Sequence, residues 1–254
     1  MRSCSADLPR FAAMVVLVIA GLTPLAASAG PIRVPTGLSP GDQYRLAFVT
    51  EGTLPATSSN ISTYDVQLQL GADSRAALAG LTWQVIGSTT AVSARDHTGT
   101  ASANGPGVPI YLLNDTRLAN NYADLWDGSI LRPLNVTEDG TIQPFAFGVH
   151  VWTGTAADGS QLTGYELGNT NKHGSPVAGS AYGTRLQSNS TWIFSSTEAH
   201  TVGSCNPICP LNNHIYALSS VLSVPSSPVP EPSTHALLTL GLAALLVARR
   251  HRSL

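Results

Sequence analysis

The chain has 254 residues, of which 11% are charged, and its formal net charge is −2 at pH 7. The few basic residues are scattered rather than gathered into a stripe, which argues against a nucleic acid as a partner. Low charge together with abundant Gly, Ser, Thr and Asn is typical of an extracellular, β-rich surface protein.

Residues 1–29 have the parts of a secretory signal peptide. A positively charged start precedes an apolar run over residues 11–22, and the Ala-Ser-Ala sequence at residues 27–29 is a small-residue cleavage site. We therefore predict export, with cleavage after Ala29. The alternative is a retained N-terminal helix, against which the short apolar run argues.

Three cysteines bear on the redox state of the exported protein. Cys4 is removed with the signal peptide, so Cys205 and Cys209 remain in an oxidising compartment. A local disulfide between them is the prediction from the residues. The alternative is one half of a metal site, for which further cysteines are missing.

The segment over residues 30–223 is predicted to fold as one domain. A helix is expected from the N-cap residues 58–60 to about residue 79, with a break or kink at Gly71. In the first predicted strand, over residues 42–50, Tyr44 and every second residue after it lie on one face. Strands are predicted over residues 42–50, 81–86, 109–113, 148–153, 191–194 and 214–222.

Between these elements lie a turn and two long polar stretches. Asn114-Asp115 is a turn signal after the strand over residues 109–113 and before residues 116–118. The polar stretches cover residues 119–140 and 156–190, and a long irregular segment inside a domain usually has a function. Few helices and several short strands predict an α+β fold.

The last part of the chain, residues 229–254, follows a short Pro/Ser linker over residues 224–228. It begins with Val229-Pro230-Glu231-Pro232, continues with an apolar run over 236–248, and ends with Arg249, Arg250, His251 and Arg252. The prolines hold Glu231 in an extended, accessible segment. Because the apolar run is shorter than the ~20 residues that span a bilayer, it predicts a temporary inner-membrane anchor with a cytoplasmic basic end.

This three-part tail resembles the PEP-CTERM sorting signal of Gram-negative bacteria. The resemblance implies that exosortase, a membrane protease-transpeptidase, recognises the motif and removes the helix. It also implies an exported protein of the cell envelope or extracellular matrix that associates with exopolysaccharide. The alternative is an ordinary C-terminal anchor, which needs neither Pro-Glu-Pro nor so short a helix.

The domain contains a series of short sequences in a recognisable order. They are Ser93-Ala94-Arg95-Asp96 and the stretches over residues 109–113, 119–129, 134–140, 151–155 and 213–218. In order and spacing they resemble the bacterial secreted domains related to the C-type-lectin/endostatin-like fold. The resemblance implies two small antiparallel sheets and two helices supporting a long irregular loop region, where ligands often bind.

Two departures from that pattern limit what the resemblance implies. Relatives often carry a cysteine where this chain has Ala217, so Cys205 either pairs with Cys209 or both stay free. The Glu-Pro-Asn, Gln-Pro-Asp and Trp-Asn-Asp triplets of calcium-dependent lectins are absent from the sequence. A lectin-like fold therefore does not by itself establish lectin activity.

The polar stretch over residues 119–140 supplies the candidate ligand or calcium site. Its candidate residues are Asn121, Asp124, Trp126, Asp127, Glu138 and Asp139, and Asp158 adds a carboxylate on a further loop. Loop oxygens suit Ca²⁺, which takes about 6–8 oxygen ligands. Because the spacing is not that of an EF-hand, the alternative is that these side chains cap turns. A glycosidase acid/base pair, with carboxyl groups ~5–9.5 Å apart, is a further alternative.

Trp126 lies between two aspartates and is the tryptophan we expect to contact a sugar. The histidines occur singly, and no His-Glu-x-x-His sequence is present. We therefore expect a non-enzymatic exported protein that binds exopolysaccharide. The alternatives are a secreted hydrolase acting on glycans and a purely structural surface protein without a ligand.

Overall fold

A computed structural model describes residues 34–142, 149–170, 178–202 and 209–226, with the backbone alone described for 201–202 and 209–210. The predicted signal peptide, the sorting tail and Cys205 lie outside the described residues, as does the side chain of Cys209. The predicted domain is thus described from Val34 onward.

The regular elements are short and are spread along the whole described chain. The helices are α1 (Ile61–Asp73), α2 (Ala94–His97) and α3 (Tyr122–Leu125). The strands are β1 (Gln43–Val49), β2 (Leu54–Pro55), β3 (Trp83–Val85), β4 (Ile110–Leu112), β5 (Arg117–Ala119), β6 (His150–Trp152), β7 (Gly179–Thr184), β8 (Ser196–Ala199), β9 (Thr201–Val202), β10 (Cys209–Pro210), β11 (Asn212–Asn213), β12 (Tyr216–Ser219) and β13 (Leu222–Ser223).

The largest sheet has the strand order β3-β12-β1-β4-β5, and β13 pairs with the start of β1. β1 runs parallel to β4 and antiparallel to β12, so this sheet is mixed rather than antiparallel throughout. Its central position explains the burial of β1, in which every residue from Tyr44 to Val49 is buried. The alternating pattern predicted only one buried face, but both faces of this strand are covered.

Smaller sheets complete the architecture. β6, β7 and β8 form a three-stranded antiparallel sheet, and β2-β11 and β9-β10 form two-stranded ones. A bridge between Val151 and His214 joins the three-stranded sheet to the segment that precedes β12. Few helices and several small sheets confirm a mixed α and β fold, which is compatible with the α+β prediction.

Helix α1 begins where the sequence predicts. The Asn60 side chain accepts a hydrogen bond from the Ser62 amide, and this cap satisfies one of the free donors of the first turn. Tyr64, Leu68 and Ala72, spaced at intervals of four residues, form its buried face. The helix continues through the predicted break at Gly71 and ends at Asp73.

Two local predictions have opposite outcomes. The turn between β4 and β5 is confirmed, with Asp115 at a φ of 73°, a left-handed conformation that Asp tolerates better than most residues. The strand predicted over residues 191–194 is wrong, because Ser190–Trp192 forms a 3-10 turn. Its cause is local: the Asn189 side chain accepts a hydrogen bond from the Thr191 amide and caps the turn.

The four tryptophans divide between the core and the surface. Trp83, Trp152 and Trp192 are at most 2% exposed, and Trp83 packs edge-on against Phe48 with ring centroids 4.7 Å apart. Trp126 is only half-buried and packs against the edge of the core. The core therefore accounts for three of them and leaves Trp126 as the one tryptophan that reaches the surface.

Candidate functional site

Trp126 lines an open cleft of about 490 Å³ formed by three separate parts of the chain. The end of α2 with the loop after it, helix α3, and the loop at residues 156–160 meet there. The cleft is lined by Arg95, Thr100, Ser102, Gly105, Pro106, Tyr122, Ala123, Trp126 and Asp158. Its size is within the roughly 300–1,000 Å³ typical of small-molecule sites.

The Trp126 indole is held from two sides. Its Nε1 atom donates to the Thr100 hydroxyl at 2.8 Å, which satisfies the polar atom of the ring. Gly159 packs on the ring so closely that a Cβ there would lie 2.6 Å from Trp126 Cδ2. Trp192 lies behind, with ring centroids 5.9 Å apart. These contacts fix the orientation of the indole at the cleft.

Tyr122 is the second aromatic ring of the cleft and is packed in the same way. A Cβ on Gly107 would lie 2.2 Å from Tyr122 Cγ, so only glycine fits against this ring. The Arg45 guanidinium carbon lies 5.7 Å from the Tyr122 ring centroid, a cation–π geometry. Tyr122 therefore separates the cleft from a buried cation.

Arg45 lies in the middle of β1 and is 3% exposed. Its Nε donates to the Ser219 carbonyl at 2.6 Å, and its Nη1 donates to the Thr98 carbonyl at 2.8 Å. Within the described residues it forms no ion pair with a carboxylate. Burial lowers the pKa of Arg45, although an arginine keeps its charge at ordinary pH.

The rim of the cleft carries one cation and one carboxylate. Arg95 Nη1 lies 3.5 Å from Asp158 Oδ2, and both side chains are partly exposed. Ser160 donates two hydrogen bonds to the Asp158 carboxylate from its amide and hydroxyl, which lowers the pKa of Asp158. Asp158 is therefore held as an anion, and its first oxygen is already engaged.

The predicted candidates next to Trp126 have local partners. Asn121 caps α3 by accepting a hydrogen bond from the Asp124 amide at 2.9 Å. Asp124 accepts hydrogen bonds from the amide and side chain of Asn120, and Asp127 accepts from the amide and hydroxyl of Ser129. The structure thus places Asn121, Asp124 and Asp127 around α3. Of the six candidates only Trp126 lines the cleft, together with the additional carboxylate Asp158.

Glu138 and Asp139 lie at a different place, beside the end of α1. Arg75 Nε donates to Asp139 Oδ1 at 2.6 Å and Arg75 Nη2 contacts Glu51 at 3.4 Å. Glu138 accepts a hydrogen bond from the Glu51 amide at 2.8 Å, and burial raises the pKa of Glu138. The six predicted candidates therefore do not converge on one point.

The described residues contain no group of three or more His, Cys, Asp or Glu side chains arranged to hold a metal ion. A calcium ion would need several oxygen ligands at about 2.3–2.6 Å. The Asp and Asn oxygens around α3 instead accept hydrogen bonds within the turns that they cap. Calcium binding stays a prediction from the sequence.

Sequence reasoning missed Arg95, Thr100 and Tyr122 as residues of the cleft, and it missed Arg45 behind the Tyr122 ring. Arg45 did carry a signal, because it is the one charged residue in β1, whose other residues are mostly apolar. The contact between Arg95 and Asp158 joins residues 63 positions apart and has no signal in a single sequence.

Comparison with known proteins bears on the C-terminus. A family described as the PEP-CTERM protein-sorting motif matches residues 228–253. The chain carries a PEP-CTERM sorting motif. This makes it an exosortase-targeted exported protein of the cell envelope or extracellular space, as the tail predicted. A search of curated proteins found no match to this chain.

The motif match leaves the anchoring helix itself as a prediction. None of the helices in the described part of the chain has the length and apolar character needed to cross a bilayer. The apolar run over residues 236–248 and the basic end at Arg249, Arg250 and Arg252 lie outside the described residues. Transient anchoring in the inner membrane therefore stays a prediction from the sequence.

Proposed function

We propose that this exported PEP-CTERM protein binds exopolysaccharide through the Trp126 cleft and does not cleave it. The observation that carries the proposal is the make-up of the cleft. It joins a fixed, half-buried indole to a guanidinium, a carboxylate and hydroxyl groups in one open groove. Sugars present both apolar ring faces and hydroxyl groups, and such a surface suits both.

The fold we propose for this domain is C-type-lectin-like. Two features support this assignment. The first and last strands of the domain lie side by side, because β1 pairs with both β12 and β13. Between them, the part of the chain that forms the cleft consists mostly of short turns and loops supported by the sheets. In such an arrangement the ligand groove is built from loops on a rigid scaffold.

The number and positions of the carboxylates support our proposal that the cleft binds a glycan without cleaving it. Glycosidases use two carboxyl groups about 5–9.5 Å apart on opposite sides of the scissile bond. Asp158 is the one carboxylate among the residues that line this cleft, and it is held by Ser160. Among the predicted candidates, Glu138 and Asp139 contact Glu51 and Arg75 elsewhere, and Asp124 and Asp127 accept hydrogen bonds from Asn120 and Ser129. This arrangement favours a binding surface over a hydrolase.

A retention experiment tests the proposed function. The purified chain is passed over the host's own exopolysaccharide, with and without calcium, beside Trp126→Ala and Phe194→Ala. Phe194 is also a partly buried aromatic residue packed on the core, but it does not line the cleft. We expect retention of the wild type and of Phe194→Ala, and loss of retention for Trp126→Ala. Equal retention of all three, or release of sugar fragments during the incubation, would count against the proposal.

Processing of the tail is tested separately. We propose that exosortase cleaves at the motif after transient anchoring, and that the mature domain is delivered to the cell surface. Intact-mass measurement of the exported protein reports both cleavage events, after Ala29 and near Glu231. Replacement of Glu231 by Ala is expected to leave the tail attached. An exported wild-type chain that keeps residues 229–254 would refute exosortase processing.

A further inference from the structure

The cleft has an unequal distribution of charge that points to a class of ligand. Two arginines are close to it, Arg95 at the rim and Arg45 behind the Tyr122 ring, while its lining holds the single carboxylate of Asp158. Arg45 is buried and hydrogen-bonded to neutral carbonyl groups. A buried charge is weakly screened, so its potential extends into the groove. Among the residues that line the cleft, taken together with Arg45 behind Tyr122, cations therefore outnumber carboxylates by two to one.

Arg95 has hydrogen-bonding capacity that the domain does not use. Only its Nη1 atom is engaged, with the Asp158 carbonyl at 3.3 Å and Asp158 Oδ2 at 3.5 Å. Its Nε and Nη2 atoms donate to no acceptor within the part of the chain that the structure describes. Parallel donors on one edge of a guanidinium match the two oxygens of a carboxylate.

We infer that the cleft takes an acidic glycan, with a sugar ring against Trp126 and the carboxylate of a uronic acid residue on the free edge of Arg95. This inference rests on the proposed function and names its ligand class. Asp158 has a positioning role, because its long contacts to Nη1 restrain the guanidinium without occupying its other donors. The Arg45 charge adds to the preference for an anion and makes no contact with the ligand.

Binding to polygalacturonate and to dextran separates acidic from neutral glycan recognition. The purified full chain in mild detergent is measured against each immobilised polymer at one fixed ionic strength. We expect polygalacturonate to bind at least about tenfold more tightly than dextran, since hydrogen bonds to charged groups give discrimination of this order. Arg95→Gln is expected to remove most of that preference. Arg95→Lys is also expected to weaken it, because lysine keeps the charge but loses the parallel donors.

Arg132→Gln is the matched control, since Arg132 is exposed and does not line the cleft. It changes the net charge by the same amount as Arg95→Gln and should leave the preference intact. Equal losses from both substitutions would show diffuse attraction to a polyanion and overturn the inference. Unchanged thermal unfolding of Arg95→Gln confirms that the variant folds.

A further outcome separates this inference from the proposed function. In this outcome the host's exopolysaccharide binds the wild type and polygalacturonate does not. Trp126→Ala abolishes binding of the host polymer, and Arg95→Gln leaves it unchanged. The acidic-glycan inference is then wrong and the proposed function stands. If neither the host polymer nor polygalacturonate is retained by the wild type, both fail together.

Discussion

Gly159 tests the packing of the cleft most directly, because alanine there meets two separate obstacles. Its φ is +79°, where a side chain is strained, and a Cβ would lie 2.6 Å from Trp126 Cδ2. The backbone strain costs about 1–2 kcal/mol, and forcing a methyl group against a packed ring adds about 1–3 kcal/mol. We therefore expect Gly159→Ala to lower the free energy of unfolding by about 2–5 kcal/mol in total.

Gly128→Ala supplies the control that separates the two effects. Its φ is +99°, yet a Cβ there would meet nothing within 4 Å. Only the strain of about 1–2 kcal/mol is expected. Urea unfolding of both variants, followed by tryptophan fluorescence, measures the difference. If the two alanine variants lose the same stability, Gly159 does not support the indole and the packing argument fails.

Three further predictions concern buried polar groups. Glu138→Gln should flatten the pH dependence of stability: burial raises the folded-state pKa of Glu138, so the folded chain binds more protons and wild-type stability falls as pH rises above roughly 4.3. Urea unfolding at pH 4.5 and 7 measures the free energy of unfolding of the variant relative to the wild type. We expect this difference to be more favourable to the variant at pH 7, and an equal difference at the two pH values would contradict the prediction. Ser180→Ala removes a 2.6 Å hydrogen bond to buried His200 Nε2 and should cost about 1–3 kcal/mol, whereas the exposed Ser196→Ala should cost almost nothing. Burial also lowers the pKa of His200, so a stability contribution should be lost as pH falls below roughly 6.5 and should be absent from His200→Gln.

The sequence predicted elements whose causes are local. The start of α1 follows from Asn60, whose side chain caps the first turn, and the turn at Asp115 follows from a residue that tolerates a positive φ. The sorting tail could be recognised for the same reason, because Val229-Pro230-Glu231-Pro232 and the apolar run follow each other closely in the chain. Such features depend on near neighbours alone.

Features that depend on distant contacts were not predictable from one sequence. Glu138 and Asp139 are close to Asp127 along the chain, yet Arg75 at the end of α1 engages Asp139. Conversely, Gly159 packs on Trp126 from another loop, and no periodicity relates the two positions. The alternating pattern of β1 predicted one buried face, whereas its central place in the sheet buries both.

The two ends of the domain are joined to each other before the sorting tail begins. The Gly41 amide donates to the Val224 carbonyl at 3.0 Å, and the Val224 amide donates to the Asp42 carbonyl at 2.8 Å. These bonds extend the pairing of β13 with β1. Removal of the tail beyond this point therefore takes none of the described strands from the sheet.

A chain ending at Ser226 should accordingly unfold at the same temperature as the processed protein. A chain ending at Ser220 loses β13 and the buried Val224 side chain, and burial of such a side chain stabilises by about 1.5–3 kcal/mol. We expect its midpoint to fall by several degrees, since 1 kcal/mol corresponds to about 2–4 °C in a domain of this size. Thermal unfolding of the two truncated chains decides the matter. Equal midpoints would show that the pairing of β13 with β1 does not stabilise the domain. That pairing would then not explain why the sorting tail can be removed without loss of stability.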